Sequence, residues 1–216
     1  MGITQEITED IQEQASGMIE TIQDGLSDRV AADNTRDDID IWDPGGIIQS
    51  HPIRNASGFD GLLIEDYIFK YINEERQEAS VKPLGRVSAI DVIARNHSAD
   101  MGARDYFDHV TPEGLDPTDR GNLAGYRCFK DHGTYYTQGL AENIAQVHTY
   151  SSYRAAGVTT SYTWYDDESI VAKNLVDIWM GSPGHRQNIL NGEYDRTGIG
   201  IIITEDERVY ATQNFC

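Results

Sequence analysis

The sequence predicts an α+β domain in which helices cover an antiparallel sheet. Three observations carry this: helical apolar periodicity through the middle of the chain, an alternating strand–turn–strand pattern at its end, and no internal repeat that would indicate a solenoid or propeller.

The first quarter stands apart. Residues 1–60 hold 13 acids and 3 bases. Within residues 1–30, Ile3, Ile7, Ile11, Met18, Ile19, Ile22, Leu26 and Val30 recur at steps of three, four and seven, one narrow apolar stripe on an amphipathic helix. Such a stripe needs a partner, either the chain's own domain or a second copy, so self-association through this helix is one expectation. Its polar face is Glu and Asp, the wrong sign for a membrane-surface helix. Residues 31–60, beginning "AADNTRDDIDIWDPGG", have turn residues and no sustained period and read as an acidic linker. Asp37, Asp38, Asp40 and Asp43 lack the ligand alternation and mid-loop glycine of a calcium loop and read as a solvated charge run.

Residues 61–216 form the main domain. Leu63, Tyr67, Ile68, Tyr71 and Ile72 mark a helix that ends near "EAS", before Lys82-Pro83. A second helix opens at Ser88, whose hydroxyl is expected to cap, with Asp91 three residues on closing the box. On this helix His97 shares a face with Ile90, Ile93, Ala94 and Met101 and reads as a core histidine. Asp116-Pro117 reads as the cap and first turn of a short helix to about Ala124. "SIVAKNLVDIWM" is another helix, with Val171, Leu175, Ile178 and Trp179 inward, and "TGIGIIIT", "EDER" and "VYATQNF" form a hairpin. The stretch "YSSYRAAGVTTSYTWYDDES" reads as a mobile flap beside a cleft or as a plain surface insertion.

Charge narrows the partners. The 216 residues carry 36 acids and 17 bases, a formal charge of −19, and this field opposes nucleic acid and anionic membranes alike. An acid-rich chain with only four lysines (Lys70, Lys82, Lys130, Lys173) suits solubility in concentrated salt, where screening removes self-repulsion. No run of about 18 apolar residues predicts a membrane span, and no signal peptide is visible. Two cysteines fit an oxidised, exported protein. A Cys128–Cys216 disulfide would pin the final strand to the loop before Glu142, whereas in a reducing compartment both would be thiols and Cys128 a possible nucleophile.

No compact enzyme signature is present: no HExxH, no phosphate loop, no GxSxG. A dispersed set remains, His109 in "YFDHVTPEG", Glu142 in "GLAENIA", and Ser182, His185 and Arg186 in "WMGSPGHRQNIL". Two imidazoles and a carboxylate suit zinc or another divalent cation, or an acid/base pair with an orienting carboxylate, and the long gaps between them leave open whether they meet. Ser182 is suited to N-cap a helix that begins at Pro183. His185 then falls in the first turn, where the positive helix end disfavours its protonation. Arg186 is expected to pair with an acid or a backbone carbonyl.

"YFDHVTPEG", "GLAENIA", "WMGSPGHRQNIL", "YDRTGIGI" and "VYATQNF", in this order, resemble the CAP superfamily of cysteine-rich secretory, antigen 5 and pathogenesis-related 1 proteins, in its shorter prokaryotic style. The resemblance covers about residues 61–216. It implies a three-layer α-β-α sandwich with a cleft of two histidines and two acids that in some members holds a divalent metal. The matching positions are His109, Glu142 and His185. The fourth position is Ser182 here, so an acid is missing. The resemblance implies an extracellular or cell-surface binding module for a small molecule, a lipid or a protein partner. A metal-assisted, peptidase-like hydrolase using the same cleft is the alternative.

Overall fold

The computed structural model describes residues 58–216. The helix expected over residues 1–30 and nearly all of the linker expected over 31–60 lie outside the described residues.

The described chain runs α1 (Gly61–Glu78), β1 (Gly85–Arg86), α2 (Ser88–Arg104), α3 (Pro117–Leu123), β2 (Phe129–Asp131), β3 (Tyr136–Gln138), β4 (Ala141–His148), β5 (Tyr150–Ala156), β6 (Thr159–Trp164), α4 (Glu168–Gly181), α5 (Pro183–Ile189), β7 (Arg196–Ile203) and β8 (Arg208–Phe215). The central sheet has the order β1-β7-β8-β4, antiparallel except for the short parallel β1–β7 pairing. Helix α2 covers one face and α1 with α4 the other, so the fold is the three-layer α-β-α sandwich.

Alternation along β7 sets the two layers. Ile199, Ile201 and Ile203 join Ile64, Ile68, Ile72, Val171, Leu175 and Trp179 in the main core. Gly198 and Gly200 face α2, and a Cβ on Gly200 would lie 2.0 Å from the Arg95 amide nitrogen. Helix α2 therefore rests directly on sheet backbone, an approach only glycine allows.

Local expectations fare unevenly. Asp116 caps α3 in a full capping box with Asp119. Ser88 does not cap α2. Val87 holds that position without a side-chain bond, and the Asp91 carboxylate instead accepts from the Ile199 amide (2.8 Å) and pairs with Arg86 (2.9 Å). Leu63 and Ile178 face solvent, 39% and 47% exposed. The stripe of α1 is centred on Ile64, Ile68 and Ile72, and that of α4 adds Ala172 and Val176 in place of Ile178. One helical residue is about 100° of rotation, enough to move a side chain off a buried face.

Buried polar groups bind the layers together. Glu65, fully buried, pairs with Arg86 (2.8 Å) and Arg95 (2.7 Å) and accepts from the Ile201 amide (3.1 Å). Arg76, also fully buried, donates to the carbonyls of Lys82, Ile189, Asn191 and Tyr194. Cys128 and Cys216 form a disulfide, so neither is a free thiol. No helix among the described residues is long and apolar enough to cross a membrane.

Candidate functional site

Strand β4 is a sheet edge, so elements on either face can meet around it. Glu142, its second residue, turns toward the α2 side and is buried, with a side chain only 1% exposed. Its oxygens are fully engaged. Oε1 accepts from His109 Nδ1 at 2.9 Å and lies 3.8 Å from His97 Nε2. Oε2 accepts from the Arg120 guanidinium and from Asn214 Nδ2 at 3.0 Å. Burial works to raise the carboxyl's pKa. The hydrogen bond from His109, the charges of Arg120 and His97 and the Asn214 amide together outweigh it and hold Glu142 below the usual carboxylate range.

His109 lies in the loop after α2, which Arg120 braces by donating to the His109 carbonyl (2.8 Å). Its Nδ1 must carry the proton given to Glu142, which leaves the Nε2 lone pair uncommitted. That side chain is 46% exposed. A carboxylate fixing the tautomer of an accessible imidazole is the arrangement found behind metal-binding histidines.

His185 arrives on α5. Asn143 Nδ2 donates to its carbonyl (3.1 Å), and Asn188 Nδ2 donates to the Glu142 carbonyl (3.2 Å) and to Asn143 Oδ1 (2.9 Å), which ties the helix to β4 beside Glu142. Burial lowers the pKa of His185, and the nearby His109 lowers it further. Its Nδ1 is buried and has no hydrogen-bond partner. Ser182 is the N-cap residue of α5 with extended backbone, but its hydroxyl makes no capping bond. Arg186 makes no side-chain pair with an acid or carbonyl among the described residues. It lines an open groove of about 660 Å³ with Met180, Pro183 and Leu190.

Three further residues complete the site. His97 is almost wholly buried, donates Nε2–H to the Asp108 carbonyl (3.0 Å) and backs onto Glu142. Burial pushes its pKa down to about 4, with Glu142 opposing the shift and Arg120 adding to it. The periodicity of α2 places His97 inside but says nothing of Glu142. Arg120 and Asn214 carry no spacing signal, although Asn214 lies within "VYATQNF". Among the described residues no group of three or more His, Cys, Asp or Glu side chains is disposed to hold a metal.

A sandwich of helices on a four-stranded sheet, with a buried glutamate at the sheet edge and two imidazoles over it, defines a domain of the cysteine-rich secretory protein (CAP) type. The family model for cysteine-rich secretory proteins matches residues 69–215, and the chain belongs to this family. It is similar to the Bacillus subtilis protein YkwD, 31% identical over 138 residues, which are 64% of this chain and 42% of that protein's length. Among solved structures it is similar to an outer surface protein of Borrelia burgdorferi (TM-score 0.53, 17% identity, 73% of this chain and 94% of that one). An SCP-domain extracellular protein of Bacillus anthracis is also similar (TM-score 0.50, 24% identity, 72% of this chain and 40% of that one).

Proposed function

We propose that this CAP domain is an exported or surface-displayed binding module whose cleft takes a divalent cation, zinc first, on the imidazoles of His109 and His185. One observation carries the reading: Glu142 orients His109 through Nδ1 beside a His185 ring whose buried Nδ1 lacks a partner. Imidazole nitrogens suit zinc and similar ions. Glu142 acts one step behind them, fixing the tautomer and orientation of His109. When bound, the cation supplies a positive centre with open positions for water or an anionic group of a ligand. The depressed pKa of His185 keeps that ring available as a ligand at neutral pH. The disulfide supports an oxidising compartment. A metal-assisted hydrolase in the same cleft has less support, because Glu142, ionised and fully hydrogen-bonded, is a poor base.

The test is calorimetric titration of the full chain with zinc chloride in high salt. One saturable site is expected, abolished by His109→Ala and by His185→Ala, and weakened roughly 10- to 100-fold by Glu142→Gln. Unchanged affinity in the His185→Ala protein would overturn the reading.

A further inference from the structure

The hairpin β5–β6 leaves the body at the far end of β4, six residues or about 20 Å along the strand from Glu142. Its base is therefore remote from the Glu142 carboxylate. Thr149 and Tyr165 anchor its base, through Thr149 N to the Glu207 carbonyl (3.1 Å) and Tyr165 N to the Thr149 carbonyl (3.1 Å). Beyond the base, both strands are exposed on both faces.

The two faces differ. Tyr153 pairs with Tyr162 and Tyr150 with Trp164, and a register shift between Tyr150 and Ser152 inserts one residue. This bulge lets Tyr150 and Tyr153, three apart, share a face that strict alternation would deny them. The four rings make one continuous surface, with centroids 4.8 Å apart for Tyr150–Tyr162, 5.0 Å for Tyr162–Trp164 and 6.4 Å for Tyr153–Tyr162. Arg154 and Ser161, paired across the strands, lie on the opposite face. No acid occurs from Tyr150 to Trp164, in a chain with 36 of them.

We infer that this aromatic face is a second binding site, separate from the histidine cleft, and that its ligand is a neutral polysaccharide. Size excludes larger occupants. Tyr153, Tyr162 and Trp164 are 64%, 43% and 37% exposed. With aromatic side chains of about 150–250 Å² each, they offer roughly 300 Å². Two such faces together would bury about 600 Å², half of the roughly 1,200 Å² at which stable protein interfaces begin. Charge narrows the rest: the four rings carry no ionic side chain of their own, and the acids around the base, with Asp206 and Glu207 close enough to act on Tyr150, repel anionic ligands and an anionic bilayer. Sugar rings fit what remains. Their C–H faces stack on aromatic planes, and their hydroxyls meet tyrosine, serine and threonine hydroxyls, with no charge to compensate.

The experiment is affinity electrophoresis of the full chain through gels containing hydroxyethyl cellulose, glycol chitin, glycogen or mannan, each repeated in solution at low and at molar salt. Retardation by at least one polymer is expected, unchanged by salt and reduced at least tenfold in Trp164→Ala and in Tyr162→Ala. Melting temperatures of both variants should match the parent, and zinc binding at the histidines should be unaffected. Free migration in all four gels would overturn the proposal, as would equal retardation of the Trp164→Ala protein. Association with phosphatidylcholine vesicles, or a concentration-dependent doubling of mass, that is lost in the same variants would assign the face to a membrane or to a second copy and also refute it.

Discussion

Replacing His97 with glutamine should remove most of one titration from the protein's acid response. The ring is packed between α2 and β4, facing Glu142, Arg120, Asp100 and the edge of Tyr106, with Nε2–H committed to the Asp108 carbonyl. Its pKa is about 4 in the fold, against about 6.5 in the unfolded chain. A depressed value means that the fold favours the neutral ring. The contribution is intact above pH 6.5 and is lost as pH falls toward 4. Linkage puts the loss at about 2 kcal/mol between pH 7.5 and 5, and at about 3 kcal/mol in full. Glutamine can reach the Asp108 carbonyl with its amide but cannot take up the proton. The variant should be less stable than the parent at pH 7.5 by about 1–2 kcal/mol for imperfect packing, and the gap should close by about 2 kcal/mol at pH 5. Urea unfolding of both proteins at the two pH values measures this. Acid loss through carboxylates away from His97 is common to both proteins and cancels in the difference, while Glu142, which His97 faces, is part of the titration being tested. A gap that stays constant within about 0.5 kcal/mol would refute the assignment of a buried, neutral His97.

Other parts of the structure give equally direct expectations. Breaking the Cys128–Cys216 bond, which spans 88 residues, by the double serine variant should cost about 4.6 kcal/mol on the chain-entropy estimate, and dithiothreitol should reproduce most of the loss in denaturant melts of the parent. Gly200→Ala drives a methyl group into the α2 backbone at 2.0 Å and should destabilise by about 3 kcal/mol or more, or prevent folding; a normal melting temperature would mean that α2 stands off the sheet. Arg120→Met leaves Glu142 buried without its cation and should cost about 3–5 kcal/mol near neutral pH. That deficit should shrink as pH falls, because burial, no longer offset by the guanidinium, makes the stranded carboxyl take up a proton sooner than Glu142 does in the parent, and a pH-independent deficit would mean that Arg120 serves only by packing.

What was legible in the sequence divides by the range of the interaction that decides it. The cap at Asp116 is settled within four residues and stands as read, and the structure adds the reciprocal bond from Asp119 that makes it a full box. The box expected at Ser88 uses the same local grammar and fails, because Asp91 has stronger offers from Arg86 and from an amide 108 residues away. The hairpin β7–β8 shows in its alternation, yet nothing local says that Gly198 and Gly200 exist to let α2 lie on bare backbone. The site behaves in the same way. His109 and Glu142 were read from the order of motifs and do meet, but the sequence supplies no period linking Glu142 to Arg120, 22 residues upstream, or to Asn214, 72 residues downstream. Those two partners decide the chemistry. A carboxylate placed between two imidazoles looks like a third metal ligand until a guanidinium and an amide occupy its other oxygen. Here it is the group that aims His109, which is why the proposed cation site is placed on the imidazoles.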